Sequence, residues 1–286
     1  MRASRPKGGR KAAAQAATPT ELDEADVTAA RRACPSICLP GIRPEAFVQT
    51  HQLALQLQRV SSTPDQILLS FSCGKESIAA WLGLRDLFPS IVPFYLYYVP
   101  GLEFIERSLD TYERIFDTEI LRVPHPSRFR WLNARTFIPG DRWQDIEDLD
   151  LPEYEYEELE DAIRDGYAAD DTYTAIGVRS RDSLARWASI KSHGAINHRR
   201  KAFYPMVEWM VQELDVLFTH HKCPLPVDYK MFGRSFDGID YRFLGPIARY
   251  YPQDYARILK DFPLADLEVY RRHRLHGRGE WPMKGL

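Results

Sequence analysis

The sequence predicts an α/β protein built on a parallel sheet, and three observations support this fold class. Short apolar runs alternate with stretches of helical periodicity, as strands and helices do in parallel sheets. The first apolar run passes through a Ser- and Gly-containing loop into a helical stretch. The composition of the 286 residues, 44% hydrophobic and 27% charged, is that of a globular protein. No apolar run approaches the ~20 residues of a transmembrane helix.

The predicted elements follow in a simple order. A helix is expected over residues 44–60, ahead of the first strand, from loosely periodic apolar residues. The predicted strands are 67–69, 91–99, 120–123 and 173–178. The other predicted helices are 76–88, 103–116 and 207–220. Pro93 is tolerated because it lies near the start of its strand.

Three parts of the chain differ in composition. Residues 1–40 are expected to form a disordered basic arm, because the first 20 carry five bases and no acid and are rich in Ala and Gly. An organelle transit peptide is the less favoured interpretation of this arm. Residues 41–225 are expected to form the α/β domain, and residues 226–286 a helical extension.

The formal net charge of −2 conceals a strong segregation of charge along the chain. Residues 141–171 hold 14 acids and two bases, whereas residues 178–202 hold seven bases and one acid. We interpret the acidic stretch as a solvated, partly helical insertion, with a lid over the site as the alternative. The basic stretch can present a cationic face to an anionic partner.

Residues 67–77 carry the most informative motif, Ile-Leu-Leu-Ser-Phe-Ser-Cys-Gly-Lys-Glu-Ser. A turn between a parallel strand and a helix binds anions, because free backbone N–H groups and the helix dipole point at the ligand. Gly74 permits close approach of the backbone, and Lys75 adds a positive charge. The hydroxyl donors are Ser70, Ser72 and Ser77. The loop predicts a phosphate site but not a Walker A motif, which needs Gly in place of Leu69 and Ser or Thr in place of Glu76.

The segment Ser72-Cys73-Gly74-Lys75-Glu76-Ser77 resembles the PP-loop of the ATP pyrophosphatases, in the shortened form Ser-Gly-Gly-Lys-Asp-Ser. It departs from that form at two positions. Glu76 replaces Asp, which is a mild chemical change. Cys73 replaces the first Gly, and its Cβ narrows the backbone conformations available beside the phosphates.

Three further segments resemble the phosphoadenosine phosphosulfate reductase-like branch of that superfamily and occur in its order. They are Ile176-Gly-Val-Arg-Ser-Arg-Asp-Ser183, Phe203-Tyr-Pro-Met-Val-Glu-Trp209 and His220-His-Lys-Cys-Pro-Leu-Pro226. The resemblance covers about residues 60–265. It implies a five-stranded, mostly parallel, doubly wound sheet of the adenine nucleotide alpha hydrolase-like (Rossmann-like) class, with an acidic insertion and a helical C-terminal extension.

The resemblance also implies an activity. In the superfamily, ATP or a related adenine nucleotide lies across the carboxyl edge of the sheet, a substrate oxygen attacks its α-phosphate, and pyrophosphate leaves. The residues that would bind the nucleotide are Ser70, Ser72, Cys73, Gly74, Lys75, Glu76 and Ser77. As expected catalytic residues, Lys75 would neutralise the leaving pyrophosphate together with Mg²⁺, and Arg179 and Arg181 would clamp a phosphate or a substrate anion.

The four cysteines argue against two other chemistries of the family. Sulfonucleotide reduction needs a C-terminal Glu-Cys-Gly-x-His motif, but no cysteine follows Cys223. Relatives that modify nucleic acids often carry a Cys-x-x-Cys loop for an iron–sulfur cluster or zinc, and the corresponding stretch 232–241 holds no cysteine. We therefore expect no iron–sulfur cluster and no metal-ligating residues. We expect Cys73 to be a small tolerated residue rather than a reactive thiol.

Three functions remain open from the sequence. The first is a PP-loop ATP pyrophosphatase-type enzyme that adenylylates an acceptor, either a nucleic acid or a nucleotide-derived molecule. The second is a sulfonucleotide reductase or sulfotransferase that uses Cys73 or Cys223. The third is a degenerate nucleotide-binding module that docks DNA or RNA through the basic arm and residues 178–202. A cytoplasmic location without membrane contact is expected, and a homodimer is compatible with all three functions.

Overall fold

A computed structural model describes residues 22–276, and a six-stranded sheet lies at its centre. The strands are β1 (Gln66–Ser70), β2 (Ser90–Tyr97), β3 (Leu121–Pro124), β4 (Thr174–Ile176), β5 (Ile196–Asn197) and β6 (Ala202–Phe203). Their order across the sheet is β3-β2-β1-β4-β6-β5. Every neighbouring pair is parallel except β5 and β6. The α/β class and the mostly parallel sheet are therefore confirmed.

The sheet has one strand more than the five expected. The extra pairing comes from β5 and β6, which have two residues each and form an antiparallel edge. Strands this short leave no apolar run in the sequence from which to predict them. The four longer strands lie where the apolar runs predicted them.

Helices cover both faces and the ends of the sheet. In the described part they are α1 (Glu24–Ala33), α2 (Pro44–Val60), α3 (Lys75–Leu84), α4 (Glu103–Phe116), α5 (Pro126–Asn133), α6 (Trp143–Asp148), α7 (Tyr156–Tyr167), α8 (Leu184–His193), α9 (Val211–His221), α10 (Val227–Phe232), α11 (Tyr241–Tyr250), α12 (Pro252–Asp261) and α13 (Asp266–His276). Helices α2 and α4 have the bounds that periodicity predicts. The helix predicted over 207–220 begins only at Val211, because a turn precedes it and Trp209 is buried with its indole N–H donated to Thr50 Oγ1 at 3.0 Å.

The chain order creates a switch point between β1 and β4. From β1 the chain runs outward through β2 to β3, and then returns to the opposite side of β1 as β4. Leu68 of β1 is accordingly paired with Val92 on one side and Thr174 on the other. Loops leave β1 and β4 in opposite directions and open a crevice at the carboxyl edge, which is where open α/β sheets bind ligands.

The two faces of the sheet are covered unequally. Ile67 and Leu69 of β1 point into the large core that contains side chains of α2, α3, α4 and α9. Leu68 points to the opposite face, where it packs with Phe94 against residues of α7 in a much smaller cluster. Successive residues of a strand face opposite sides, so β1 must be apolar throughout.

The acidic segment 141–171 is partly helical, as expected, but it is not wholly solvated. Its helix α7 is the crossover connection between β3 and β4, and it buries Leu159 and Ile163 against the sheet. The acids lie mostly on the remaining faces of the segment. The high density of acids conceals an apolar stripe that is sufficient to pack the helix.

The N-terminal region is also more ordered than expected. Residues 1–21 of the predicted arm lie outside the described residues. From Glu24 onward the chain forms α1, whose first turn is capped by the Asp23 carboxylate, and Ala30 and Ile37 are fully buried. These apolar side chains stabilise the second half of the predicted arm by packing it onto the core.

The expected helical extension is present as α10 to α13, which follow one another after residue 226. No helix in residues 22–276 is both long enough and apolar enough to cross a membrane.

Candidate functional site

The loop from β1 to α3 forms a compact turn at the carboxyl edge of the sheet. Gly74 caps α3, and the Ser77 hydroxyl donates to its carbonyl oxygen at 2.8 Å. The backbone N–H of Gly74 donates to Ser72 Oγ at 3.3 Å. The serine hydroxyls therefore hold the turn in shape. The predicted nucleotide-binding residues lie at the end of β1, on this turn and in the first turn of α3.

Cys73 occupies the most constrained position of the loop. Its φ is +54°, in the left-handed region that favours glycine, and its side chain is fully buried. A residue with a Cβ is strained in this conformation, so glycine would be favoured at this position. Burial raises the pKa of the Cys73 thiol well above its usual value, which disfavours the nucleophilic thiolate.

The end of β4 lies directly against the start of α3. A Cβ added to Gly177 would come within 2.6 Å of the backbone carbonyl group of Glu76 and the backbone nitrogen of Ser77. Only glycine allows this approach. The close contact brings the Gly-Val-Arg segment after β4 beside the loop, although about one hundred residues separate them in the sequence.

Arg179 follows β4 and lies almost buried beside the loop. Its guanidinium is 3.2 Å from Glu76 Oε1 and 2.5 Å from Asp182 Oδ1. Its Nε is buried and has no hydrogen-bond partner within residues 22–276. The Lys75 ammonium group is 3.8 Å from the same Glu76 oxygen. Glu76 therefore links the two predicted catalytic cations, whereas Arg181, the third, is exposed to solvent.

Helix α10 contributes a side chain to the loop that no sequence pattern indicates. The Tyr229 hydroxyl accepts a hydrogen bond of 2.9 Å from the backbone N–H of Lys75, the first residue of α3. Burial raises the pKa of Tyr229 to about 12, so the hydroxyl keeps its proton at neutral pH. Ser235 Oγ also lies 3.6 Å from where a Cβ on Gly74 would be. Through Ser235 the stretch 232–241, which holds no cysteine, thus reaches the site.

A buried carboxylate, Asp228, lies beneath this contact. Its Oδ2 accepts the backbone N–H of Phe236 at 2.9 Å, while its Oδ1 is buried and has no partner within the described chain. Burial raises the pKa of Asp228 to about 6. Asp228 therefore holds the segment after α10 against the core.

A second polar cluster lies at the ends of β2 and β3, on the same edge of the sheet. His125 Nδ1 accepts the backbone N–H of Ser127 at 3.0 Å, so its proton is on Nε2. Nε2 lies 3.1 Å from the Tyr98 hydroxyl and 2.9 Å from the Tyr156 hydroxyl. Burial lowers the pKa of His125 to about 4, which keeps the ring neutral. Since Tyr156 is the first residue of α7, the cluster fixes α7 to the edge of the sheet.

The cysteines do not form a site for a cluster. Cys34 and Cys38 both lie near the carbonyl oxygen of Ala30, whereas Cys73 is in the loop. Burial raises the pKa of Cys223 to about 11. No group of three or more His, Cys, Asp or Glu side chains in residues 22–276 is arranged to hold a metal ion. The donors of an iron–sulfur cluster are therefore not brought together in the described chain.

The basic stretch 178–202 divides into paired and outward-facing cations. Arg200 lies 3.0 Å from Glu157 and Lys201 lies 3.3 Å from Asp171, so these two hold the acidic segment. The exposed cations are those of α8 and its flanks, namely Arg181, Arg186, Lys191 and Arg199.

No protein-family profile matches the chain, and no curated protein matches it in sequence. Among solved structures, it is similar to the NH3-dependent NAD synthetase from Campylobacter jejuni in complex with a nitrate ion, with 14% identity and a TM-score of 0.39 over 83% of this chain and 97% of that one. It is also similar to the U34-tRNA thiolase NcsA from Methanococcus maripaludis with its [4Fe-4S] cluster, with 11% identity and a TM-score of 0.37 over 76% of this chain and 79% of that one. Similarities this weak assign no activity.

Proposed function

We propose that the protein is a PP-loop ATP pyrophosphatase-type enzyme of the phosphoadenosine phosphosulfate reductase-like branch. It binds ATP or a related adenine nucleotide in the crevice between β1 and β4. An acceptor oxygen attacks the α-phosphorus, the bond to the bridging oxygen breaks, and pyrophosphate leaves with that electron pair. The observation that carries this proposal is the contact of Gly177 with the start of α3, which places both motif segments around one helix N-terminus.

The loop residues would bind and orient the phosphates. The hydroxyls of Ser70 and Ser72 and the free N–H groups of the turn donate to phosphate oxygens. Ser77, whose hydroxyl donates to the Gly74 carbonyl oxygen, joins them by exchanging that bond for one to phosphate. The Lys75 ammonium compensates the charge that grows on the leaving pyrophosphate. A phosphate oxygen at the N-terminus of α3 competes with the Tyr229 hydroxyl for the backbone N–H of Lys75.

The arginines would act on the side of β4. Arg179 is held in place by Glu76 and Asp182, so it can reach a phosphate only from a fixed position. Arg181 is exposed and suits the acceptor or an outer phosphate oxygen. Bound Mg²⁺ supplies charge neutralisation on the phosphates. Glu76 is the carboxylate nearest to the loop and fits that ion, because Mg²⁺ commonly uses one or two carboxylates together with substrate phosphates.

The reductase or sulfotransferase alternative is less well supported. It needs a reactive thiolate, and burial raises the pKa of both Cys73 and Cys223. We propose instead that the acceptor is a nucleic acid or a nucleotide-derived molecule. A cytoplasmic location suits the four free cysteines.

The proposal is tested by nucleotide binding and turnover. Calorimetry with ATP and Mg²⁺ should show binding, and release of pyrophosphate should be detected when the acceptor is present. Lys75→Ala is expected to abolish pyrophosphate release, whereas Lys260→Ala, an exposed lysine on α12, should leave it unchanged. Absence of ATP binding by the wild-type protein would contradict the proposal.

A nucleotide-binding module without turnover is the second candidate. The exposed basic helix α8 beside the loop favours it, because a regulator that docks DNA or RNA needs a surface of this kind. ATP binding with no pyrophosphate release, in the presence of a nucleic acid that binds, would select this candidate over the enzyme.

A further inference from the structure

Helix α8 is the one helix of ten or more residues, among those whose side-chain burial is described throughout, that buries no side chain. Leu184 is 86% exposed and Trp187 is 49% exposed. A helix of ten residues gains little stability without packing, because nucleation is costly and few hydrogen bonds repay it. Its apolar side chains are therefore available to a partner.

The local structure of α8 holds it in a defined position despite the lack of packing. The Ser183 hydroxyl accepts the backbone N–H of Arg186 at 3.2 Å and caps the first turn. The Asp182 carboxylate lies 3.2 Å from the Arg186 guanidinium and also holds Arg179. Because Arg179 contacts the loop through Glu76, the helix begins at the rim of the proposed nucleotide site.

The exposed face of α8 combines an aromatic ring with cations. Leu184, Trp187 and Lys191 are spaced three and four residues apart and share one face. The Lys191 ammonium lies 4.6 Å from the centroid of the Trp187 ring. Arg186 adds a side chain that is 53% exposed. An indole flanked by exposed cations is suited to stack a base while the cations contact the neighbouring phosphates.

We propose that α8, together with Arg181, is a docking surface for single-stranded nucleic acid. Charge complementarity points to a polyanion, because Arg181, Arg186, Lys191 and Arg199 are exposed on the helix and the segments beside it. A second copy of the chain is the alternative occupant that the experiments below test. Unpaired bases are required, since the bases of a duplex are not available to stack on Trp187. That the docked strand is also the acceptor rests on the function proposed above; the docking itself does not.

Fluorescence anisotropy with labelled single-stranded DNA and RNA oligonucleotides tests the surface on the full chain. We expect the affinity to fall steeply as the salt concentration rises. A duplex of the same sequence should bind at least several-fold more weakly than the single strand. Trp187→Ala is expected to lower the affinity about tenfold, which corresponds to the loss of one stacked base. Replacing both Arg186 and Lys191 by Gln should reduce the salt dependence.

The chain provides a matched control in Trp143 of α6. This tryptophan is 46% exposed and also lies beside a cation, with the Arg135 guanidinium 5.0 Å from its ring, but it belongs to the acidic segment. Trp143→Ala should leave the affinity unchanged. Equal effects of Trp143→Ala and Trp187→Ala, or no binding of any oligonucleotide, would overturn the proposal.

Two further measurements separate the remaining outcomes. The first is sedimentation of the wild type and of Trp187→Ala. If the wild type is a dimer, Trp187→Ala is a monomer and no oligonucleotide binds, the surface belongs to a second copy of the chain and the proposal is overturned. ATP calorimetry on Trp187→Ala should match the wild type. If ATP fails to bind the wild type while Trp187→Ala still weakens oligonucleotide binding, the docking surface stands and the proposed enzyme does not.

Discussion

Helices α7 and α8 lie on either side of β4 in the chain and have opposite charge and opposite packing. Helix α7 belongs to the acidic segment, yet it buries Leu159 and Ile163 on the sheet. Helix α8 belongs to the basic stretch and buries nothing, although it carries Leu184 and Trp187. The density of charge therefore does not indicate which of two neighbouring helices is part of the core.

The position of each helix in the fold explains the difference. Helix α7 is the crossover between the parallel strands β3 and β4, and such a connection must return across a face of the sheet. Leu68 and Phe94 lie on that face of the sheet and would be in contact with solvent if α7 did not pack on them. Helix α8 leads only to the short β5–β6 edge and buries no side chain against residues 22–276, so Leu184 and Trp187 stay exposed there. Topology decides which apolar residues are used in folding and which remain for a partner.

The largest expected effect concerns Arg164, a buried cation of α7. Its guanidinium donates to the carbonyl oxygen of Thr172 at 2.7 Å and to Thr174 Oγ1 at 3.1 Å, and it is 3.4 Å from the buried Glu160. Arg164→Met leaves Glu160 buried without this partner and should lower the free energy of unfolding by about 4 kcal/mol. Arg186→Met on α8 should change it by less than about 0.5 kcal/mol. Denaturant unfolding measures both, and equal losses would contradict the comparison.

Truncating an apolar side chain should also change the free energy of unfolding much more in α7 than in α8. Ile163→Ala removes a side chain from the contact of α7 with the sheet and should cost about 3 kcal/mol. Leu184→Ala truncates a side chain of α8 that is exposed to solvent. It should leave the free energy of unfolding within about 0.5 kcal/mol of the wild type. A loss above about 1 kcal/mol for Leu184→Ala would show that α8 is packed in solution.

Acid should loosen α7 through the His125 cluster. Burial lowers the folded-state pKa of His125 to about 4, below the ordinary histidine value of 6.5, so the unfolded chain binds more protons between these values. The stabilisation is therefore full above pH 6.5 and is lost as the pH falls towards 4, by up to about 3 kcal/mol. His125→Gln should flatten the decline of stability in this range.

The control for acid is the exposed His193 of α8. His193→Gln makes the same substitution at an exposed position, so comparison with it isolates the effect of burial at His125. Burial also lowers the pKa of His51 and His221, so only the difference between variant and wild type reports on His125. Identical pH profiles for His125→Gln and the wild type would exclude the neutral buried ring.

Local patterns in the sequence predict the elements that carry the loop. The apolar runs of β1 to β4 and the periodicity of α2 and α4 are short-range signals, and the structure places those elements as expected. The Ser/Gly turn between β1 and α3 is equally local. The position of the loop at the switch point is not a local property, because it depends on the pairing of β1 with β4, about one hundred residues apart in the chain.

The parts that the sequence does not predict depend on contacts between distant residues. The Tyr229 hydroxyl meets the backbone of Lys75 across 154 positions, and no spacing indicates such a pair. The His125 cluster joins the ends of β2, β3 and the start of α7 in the same way. The packing of α7 is missed for another reason, since its apolar stripe of few residues is outnumbered by acids.

The smallest expected changes in stability come from removing the N-terminal caps of α7 and α8. In α7 the Glu158 carboxylate accepts the backbone N–H of Glu155 at 2.8 Å, and in α8 the Ser183 hydroxyl caps the first turn. Glu158→Ala should lower the global free energy of unfolding by about 1 kcal/mol, because α7 unfolds with the core. Ser183→Ala should instead speed hydrogen exchange in the first turn of α8 and leave the global value unchanged, because an unpacked helix can fray alone. If α8 is the docking surface, single-stranded oligonucleotide should restore protection from exchange in that turn. If Ser183→Ala instead lowers the global free energy of unfolding as much as Glu158→Ala does, the two helices are equally part of the core.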